Sequence, residues 1–293
     1  MKQLLLDYWY LFQDPFIASL LVGIILPLIG GLLLLRRAVF LGVAVPQFSA
    51  AGLAIGLWLL PWWPGLWQEF LDHGHPEMSY MFAFAGGGAV LALGAFSWWE
   101  SRHRGGTEGL LAAGFAVASA MSLLFLSMGP LGANLVDAVL KGEILYLDHH
   151  GLIVLAVVLS LVSVILLAAR RPILLIAFDP DLAATLGVPR TLFERLLWLC
   201  VGLSVGAGVV TVGPVLVFGL LFLPPLAARG ASGSMPGFFI RCSLLGLIAV
   251  LASWPLCLWL EQPYGPTAVL LSGLLALCFH GISRLNIAKG PRY

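Results

Sequence analysis

Nine apolar stretches dominate the chain, at roughly residues 16–35, 43–60, 80–98, 110–128, 151–169, 193–210, 213–228, 237–260 and 266–283. A helix needs about 20 such residues to cross a hydrocarbon core about 30 Å thick. Inside lipid the backbone must satisfy its own hydrogen bonds, so stretches of this kind fold as spanning helices. Of the 293 residues little remains for a water-soluble domain. Only 10% are charged and 60% are hydrophobic, with a mean hydropathy of +1.01. A soluble domain carries about 25% charged residues, so this chain cannot coat a water-exposed globule. The expectation is an all-α polytopic integral membrane protein with about eight to nine transmembrane helices, residues 1–293 forming one domain.

Charge orients the spans. Arg36 and Arg37 follow the first stretch, Arg102 and Arg104 the third, Arg170 and Arg171 the fifth. Arg229 and Arg241 bracket the loop after the seventh, and Arg284, Lys289 and Arg292 follow the last. All fall on one side, which the positive-inside rule makes cytoplasmic. The opposite loop "PWWPGLWQEFLDHGHPEMS", residues 61–79, has no Lys or Arg and clusters tryptophans suited to the headgroup belt. The N-terminus is then outside and the C-terminus inside. On the outer side, 129–151 ("GPLGANLVDAVLKGEILYLDHHG") is mixed in polarity and reads as a short helix or half-helix at the outer mouth.

A net charge of +1, with no basic run, argues against nucleic acid as partner. Cys200, Cys242, Cys257 and Cys278 lie in apolar stretches with no CxxC pair, which reads as packing. Asp7 and Asp14 interrupt the N-terminal apolar residues before any small-residue cleavage site, against a cleaved signal peptide.

One segment breaks the pattern. "IAFDPDLAATLGVPR", residues 176–190, is too polar for lipid and falls in the cytoplasm. Asp179 can cap a helix, with Pro180 at its first position and Asp181 in the first turn, where the helix dipole favours a carboxylate. Leu182, Ala183 and Leu186 are expected to share an apolar face. Gly187 supplies the stop and Pro189 prevents continuation. A helix of about two turns is marginal alone in water, so it needs something to pack against.

"FDPDLAATLGVP" resembles the cytoplasmic coupling segment of the ABC-3 family of metal-importing permeases, which serve zinc, manganese and iron uptake. "TVGPVLVFGLLFLPPLAAR" (211–229) resembles that family's following helix pair, with its glycine-marked break and paired prolines. "QPYGPTAVLLSGLLAL" (262–277) resembles its final span, "LLLLRRAVFLG" (32–42) the end of its first, and "VLKGEIL" (139–145) its extracellular-gate segment. The likeness covers about residues 15 to 280 and is strongest over 176–277.

The resemblance implies an architecture like the type II importers: two permease copies around one pathway, with two ATPases below. It implies an ABC ATPase subunit docked on residues 179–187, an extracytoplasmic substrate-binding protein, and a second permease copy in a homodimer. ATP would be used by the partner subunit, with no cofactor bound by this chain. The setting it implies is a bacterial inner (cytoplasmic) membrane, and Gly142 belongs to the expected gate segment; Asp137 and Glu143, on the short outer element, read as gate or binding-protein contacts.

The chain departs from the family at the second span. There the family shows a pattern like "GDALSHAxLPG", whose Asp and His, four apart, contribute to a metal site. Here the stretch is "GVAVPQFSAAG", residues 42–52, with Val43 at the Asp position and Gln47 at the His position. Zinc takes His, Cys or carboxylate, and manganese favours carboxylate with imidazole; a neutral amide serves neither well. Gln47 then either lines a watered pathway or hydrogen-bonds across a helix interface. Other metal candidates lie outside the membrane: His73 and His75 in "DHGHPE", and His149 and His150 in "LDHHG". Adjacent helical histidines diverge by about 100°, so His149 and His150 cannot share one ion without loop geometry.

The chain contains no GxxxxGK[ST], so any ATPase must be separate, and no HExxH that would serve an intramembrane protease. The expected function is the permease subunit of a divalent-metal importer. A permease for a metal chelate or non-metal cargo, and a membrane scaffold without an ATPase, stand as alternatives.

Overall fold

A computed structural model describes residues 2–36, 38–73, 76–102, 107–129, 144, 147–230 and 233–289. Its helices are α1 (Lys2–Leu35), α2 (Val39–Leu59), α3 (Pro64–His73), α4 (Met78–Arg102), α5 (Thr107–Met128) and α6 (His149–Ala168). They continue as α7 (Arg170–Phe178), α8 (Pro180–Thr185), α9 (Arg190–Arg229), α10 (Met235–Leu260) and α11 (Tyr264–Lys289). A 3₁₀ turn, Leu60–Trp62, follows α2. Where helices begin in polar surroundings the sequence supplies caps: Asp148 accepts from the Gly151 N–H at 3.0 Å, and Ser234 from the Gly237 N–H at 3.3 Å.

Each of the nine expected stretches is helical. Seven helices among the described residues are long and apolar enough to cross a membrane, and Tyr264–Phe279 adds a shorter apolar one. The sixth and seventh stretches join in the 40 residues of α9. They are nevertheless two arms. Gly213 has φ 81°, ψ 159°, open to glycine and hostile to other residues. A Cβ placed on Gly208 would lie 2.7 Å from Val217 Cγ2. In a straight helix nine residues stand about 13.5 Å apart, so the chain folds back on itself at Gly213, as the expected glycine break required.

Burial separates the centre from the rim. Within their spanning windows, α9 is 78% buried and α1 and α2 are each 67% buried, whereas α4, α5 and α6 are 28%, 22% and 28% buried. The centre closes by backbone approach. A Cβ on Gly206 of α9 would sit 2.4 Å from Gly86 Cα of α4, and one on Gly30 of α1 would overlap the Leu221 carbonyl oxygen. Small residues at crossing points let membrane helices gain dispersion contact where lipid supplies no hydrophobic drive.

Two contacts agree with the charge-based orientation. At the end assigned outside, the His149 ring Nδ1 of α6 comes within 3.4 Å of the Asp14 carboxylate of α1. At the end assigned inside, Arg36 after α1 pairs with Glu194 at the start of α9. The expected outer element at 129–151 lies outside the described residues, except Gly129, the buried Ile144 and Leu147, the cap Asp148 and the start of α6.

Candidate functional site

The unit beneath the bundle is built from α7 and α8. The chain breaks at Ala169 (φ −90°, ψ 9°) and turns into α7, which buries Ile173 and Ile176. Asp179 ends α7 and starts α8. Its N–H donates to the Leu175 carbonyl at 2.9 Å, while its Oδ1 accepts from the Asp181 N–H at 3.1 Å and the Leu182 N–H at 2.9 Å. Pro180 is the first helical residue and gives up no needed donor. Asp181 lies in the first turn, where the dipole favours it.

The other end is closed equally well. The Gly187 N–H donates to Ala184 O at 3.1 Å and the Val188 N–H to Ala183 O at 3.0 Å, the two bonds of a Schellman motif. Gly187 holds the left-handed conformation this requires, at φ 72°. Six residues of helix are thus held by caps rather than by length.

The faces of α8 differ from the sequence expectation. Ala183 is fully buried beneath the bundle, while Leu182 and Leu186 are 46% and 64% exposed. Leu182 and Ala183 are consecutive and diverge by about 100° on a helix, whereas Leu182 and Leu186 are four apart and align. Ala183 is therefore the foot of the helix, and the two leucines form its outward edge. Phe178 and Leu192, which flank the unit in the chain, are also exposed.

A charged clasp follows the unit, and sequence reading missed it. Glu194 Oε1 accepts from Arg190 Nε at 2.9 Å and from Arg36 Nη2. The Arg36 guanidinium also stacks over Trp198, 5.3 Å from the ring centroid. The Arg190–Glu194 spacing was a legible i,i+4 signal. Nothing in the sequence joined Arg36 to Glu194, 158 residues away.

In the bundle, Val43 and Gln47 are half-buried on α2, beside the buried Pro46. Gln47 has no hydrogen-bond partner among the described residues, and α2 contains no ionisable side chain. The gate residues Asp137, Gly142 and Glu143 lie outside the described residues, as do His75 and the side chain of His73. His149 and His150 are exposed at the start of α6, His149 facing Asp14. Asp148 is committed to its cap. No three His, Cys, Asp or Glu side chains gather to hold a metal ion among the described residues. Cys200, Cys242 and Cys257 are buried and Cys278 is exposed, all as free thiols.

Comparison with known proteins covers nearly the whole molecule. A manganese transport system membrane protein of Halalkalibacterium halodurans is 27% identical over 277 residues, spanning 94% of this chain and 88% of that protein. A manganese transport system membrane protein of Bacillus subtilis is 25% identical over 287 residues, spanning 93% and 91%. Among solved structures, PsaBC from Streptococcus pneumoniae in complex with Fab shares the fold at a TM-score of 0.78 and 17% identity, over 95% of both chains. Residues 8–281 match the model of the ABC 3 transport family, which includes both the capped helix α8 and the reversal at Gly213. With its spans, its broken helix and its capped helix α8 all inside that match, the chain belongs to the ABC 3 transport family.

Proposed function

We propose that this chain is the membrane-spanning permease subunit of an ABC importer in a bacterial inner membrane, passing a divalent metal ion such as zinc, manganese or iron. Family membership and the manganese-transport relatives support the cargo class. The observation that carries the mechanism is α8: doubly capped, footed on Ala183, with Leu182 and Leu186 turned outward and unburied. A leucine fully buried against a partner gains about 1.5–3 kcal/mol, so two at helical spacing suit a groove on a separate ATPase.

In this reading a second permease copy completes the pathway, and an extracytoplasmic binding protein delivers the cargo to its outer mouth. The ATPase closes on ATP and displaces α8. The α7–α8 unit and the Arg36–Glu194–Arg190 clasp then carry that displacement into α1 and α9. This chain contributes the peg, the levers and the pathway wall, and the ATPase subunit holds the nucleotide. Replacing Leu182 and Leu186 together by Asp should cut uptake by the assembled transporter at least tenfold while the permease remains monodisperse. Unchanged uptake in that double variant would defeat the proposal.

The second reading, a metal chelate as cargo, is favoured by α2. Val43 and Gln47 offer an alkyl group and an amide where the family pattern carries Asp and His. A chelate brings its own ligands and needs no naked-ion site in the wall. Uptake of radiolabelled metal, free against chelated, by the reconstituted complex separates the two.

A further inference from the structure

The inner ends of α4 and α9 leave a groove of about 940 Å³ between them. It runs from Arg190 to Leu199 on α9 and from Trp98 back to Val90 on α4. At 1.5 Å per residue these stretches are about 12–14 Å long, of which the charged part from Arg190 to Arg195 takes about 8 Å on α9. The groove thus leads from the charged start of α9 to apolar residues of both helices. Its deep part is apolar and unfilled: Gly94 lines it, and a Cβ there would meet nothing within 4 Å.

The mouth is cationic. Arg190 and Arg195 both line it, together with Glu194. Glu194 Oε1 is already shared between Arg190 and Arg36. Arg195 is exposed and has no ion pair among the described residues. Arg102 adds a further positive charge, stacked 4.5 Å over the Trp98 ring at the same rim. Basic pockets between membrane helices on the cytoplasmic side attract anionic headgroups. An amphiphile with an anionic head and an apolar tail matches this groove in both charge and lining; a soluble protein would meet only the mouth.

We propose that the α4–α9 groove is a binding site for one anionic phospholipid of the inner leaflet, its phosphate on Arg190 and Arg195 and an acyl chain along Val90, Gly94 and Leu199.

Native mass spectrometry of the purified full chain, equilibrated with equal phosphatidylglycerol and phosphatidylcholine, tests this. The natural chain should retain phosphatidylglycerol at least tenfold over phosphatidylcholine. Arg195→Gln should lower that preference about fivefold, and Arg190→Gln with Arg195→Gln should bring it down to parity. Gly94→Leu, whose Cβ would meet nothing within 4 Å, should reduce retention of both lipids. Arg171→Gln, on α7 and outside the groove, should leave the preference intact. Equal retention of the two lipids by the natural chain would overturn the proposal. So would a loss in Arg171→Gln as large as in Arg195→Gln, which would mark general surface attraction. A disulfide between Gly94→Cys on two copies of the chain would show protein covering the groove, and would overturn it too.

Discussion

Helix α8 and the α4–α9 crossing are held in opposite ways. Within nine residues α8 carries its cap, its first-turn proline, its stopping glycine and its exposed leucines. The crossing is defined by the missing side chain at Gly206, which stands against the backbone of Gly86, 120 positions away in the chain. One is a self-contained peg that tolerates change in its outward edge. The other is a backbone contact that tolerates no added atom on Gly206. The peg can therefore be silenced without unfolding the bundle, and the crossing cannot.

The sharpest test of that contrast is Gly206→Leu. Its Cβ would fall 2.4 Å from Gly86 Cα and 2.5 Å from Gly86 N, where no flexible side chain can yield. It should abolish recovery of monodisperse protein on size exclusion, whereas the Leu182 and Leu186 double variant purifies normally. Recovery of a folded Gly206→Leu protein would remove the contrast.

Next in size is a gain of function on α2. Val43→Asp with Gln47→His places a carboxylate and an imidazole four residues apart on one helical face. If that face lines the pathway, the purified double variant should retain divalent metal, read by elemental analysis, at least tenfold above the natural chain. Failure to retain any would place the pathway elsewhere.

A smaller effect is expected of Asp179→Ala, which removes the acceptor for two N–H groups of α8. Loss of such a cap costs about 1 kcal/mol. Fraying the peg by that amount should weaken ATPase association about fivefold in a pull-down titration, with bundle stability unchanged. Smallest is Ser204→Ala. The Ser204 hydroxyl is fully buried and has no partner among the described residues. Removing an unsatisfied buried polar group should leave thermal stability unchanged or raise it, by up to about 1 kcal/mol. A clear loss would reveal a partner that the static arrangement omits.

The same contrast explains what the sequence disclosed. Asp179, Pro180 and Gly187 announce α8 because capping is a local code, and the structure places each in the role expected. Spans are legible for the same reason: hydropathy needs no tertiary knowledge. The shared face assigned to Leu182, Ala183 and Leu186 failed at Ala183, because which side of a short helix is buried depends on what lies above it. Arg36 was read only for orientation. Its pairing with Glu194 and Trp198 is made by the fold across 158 and 162 residues of chain, beyond any spacing rule. The role of Gln47 belongs to the same class, since lining a pathway is a property of the assembled bundle.

The reversal at Gly213 has a mechanical corollary. A fold-back accomplished in one residue leaves no slack, so the two arms of α9 behave as the limbs of a pair of tongs rather than as beads on a string. A tilt imposed near Arg190 should then reach Arg229 with its direction inverted. Splicing a few flexible residues in at that pivot should leave each limb helical, yet disconnect the stroke.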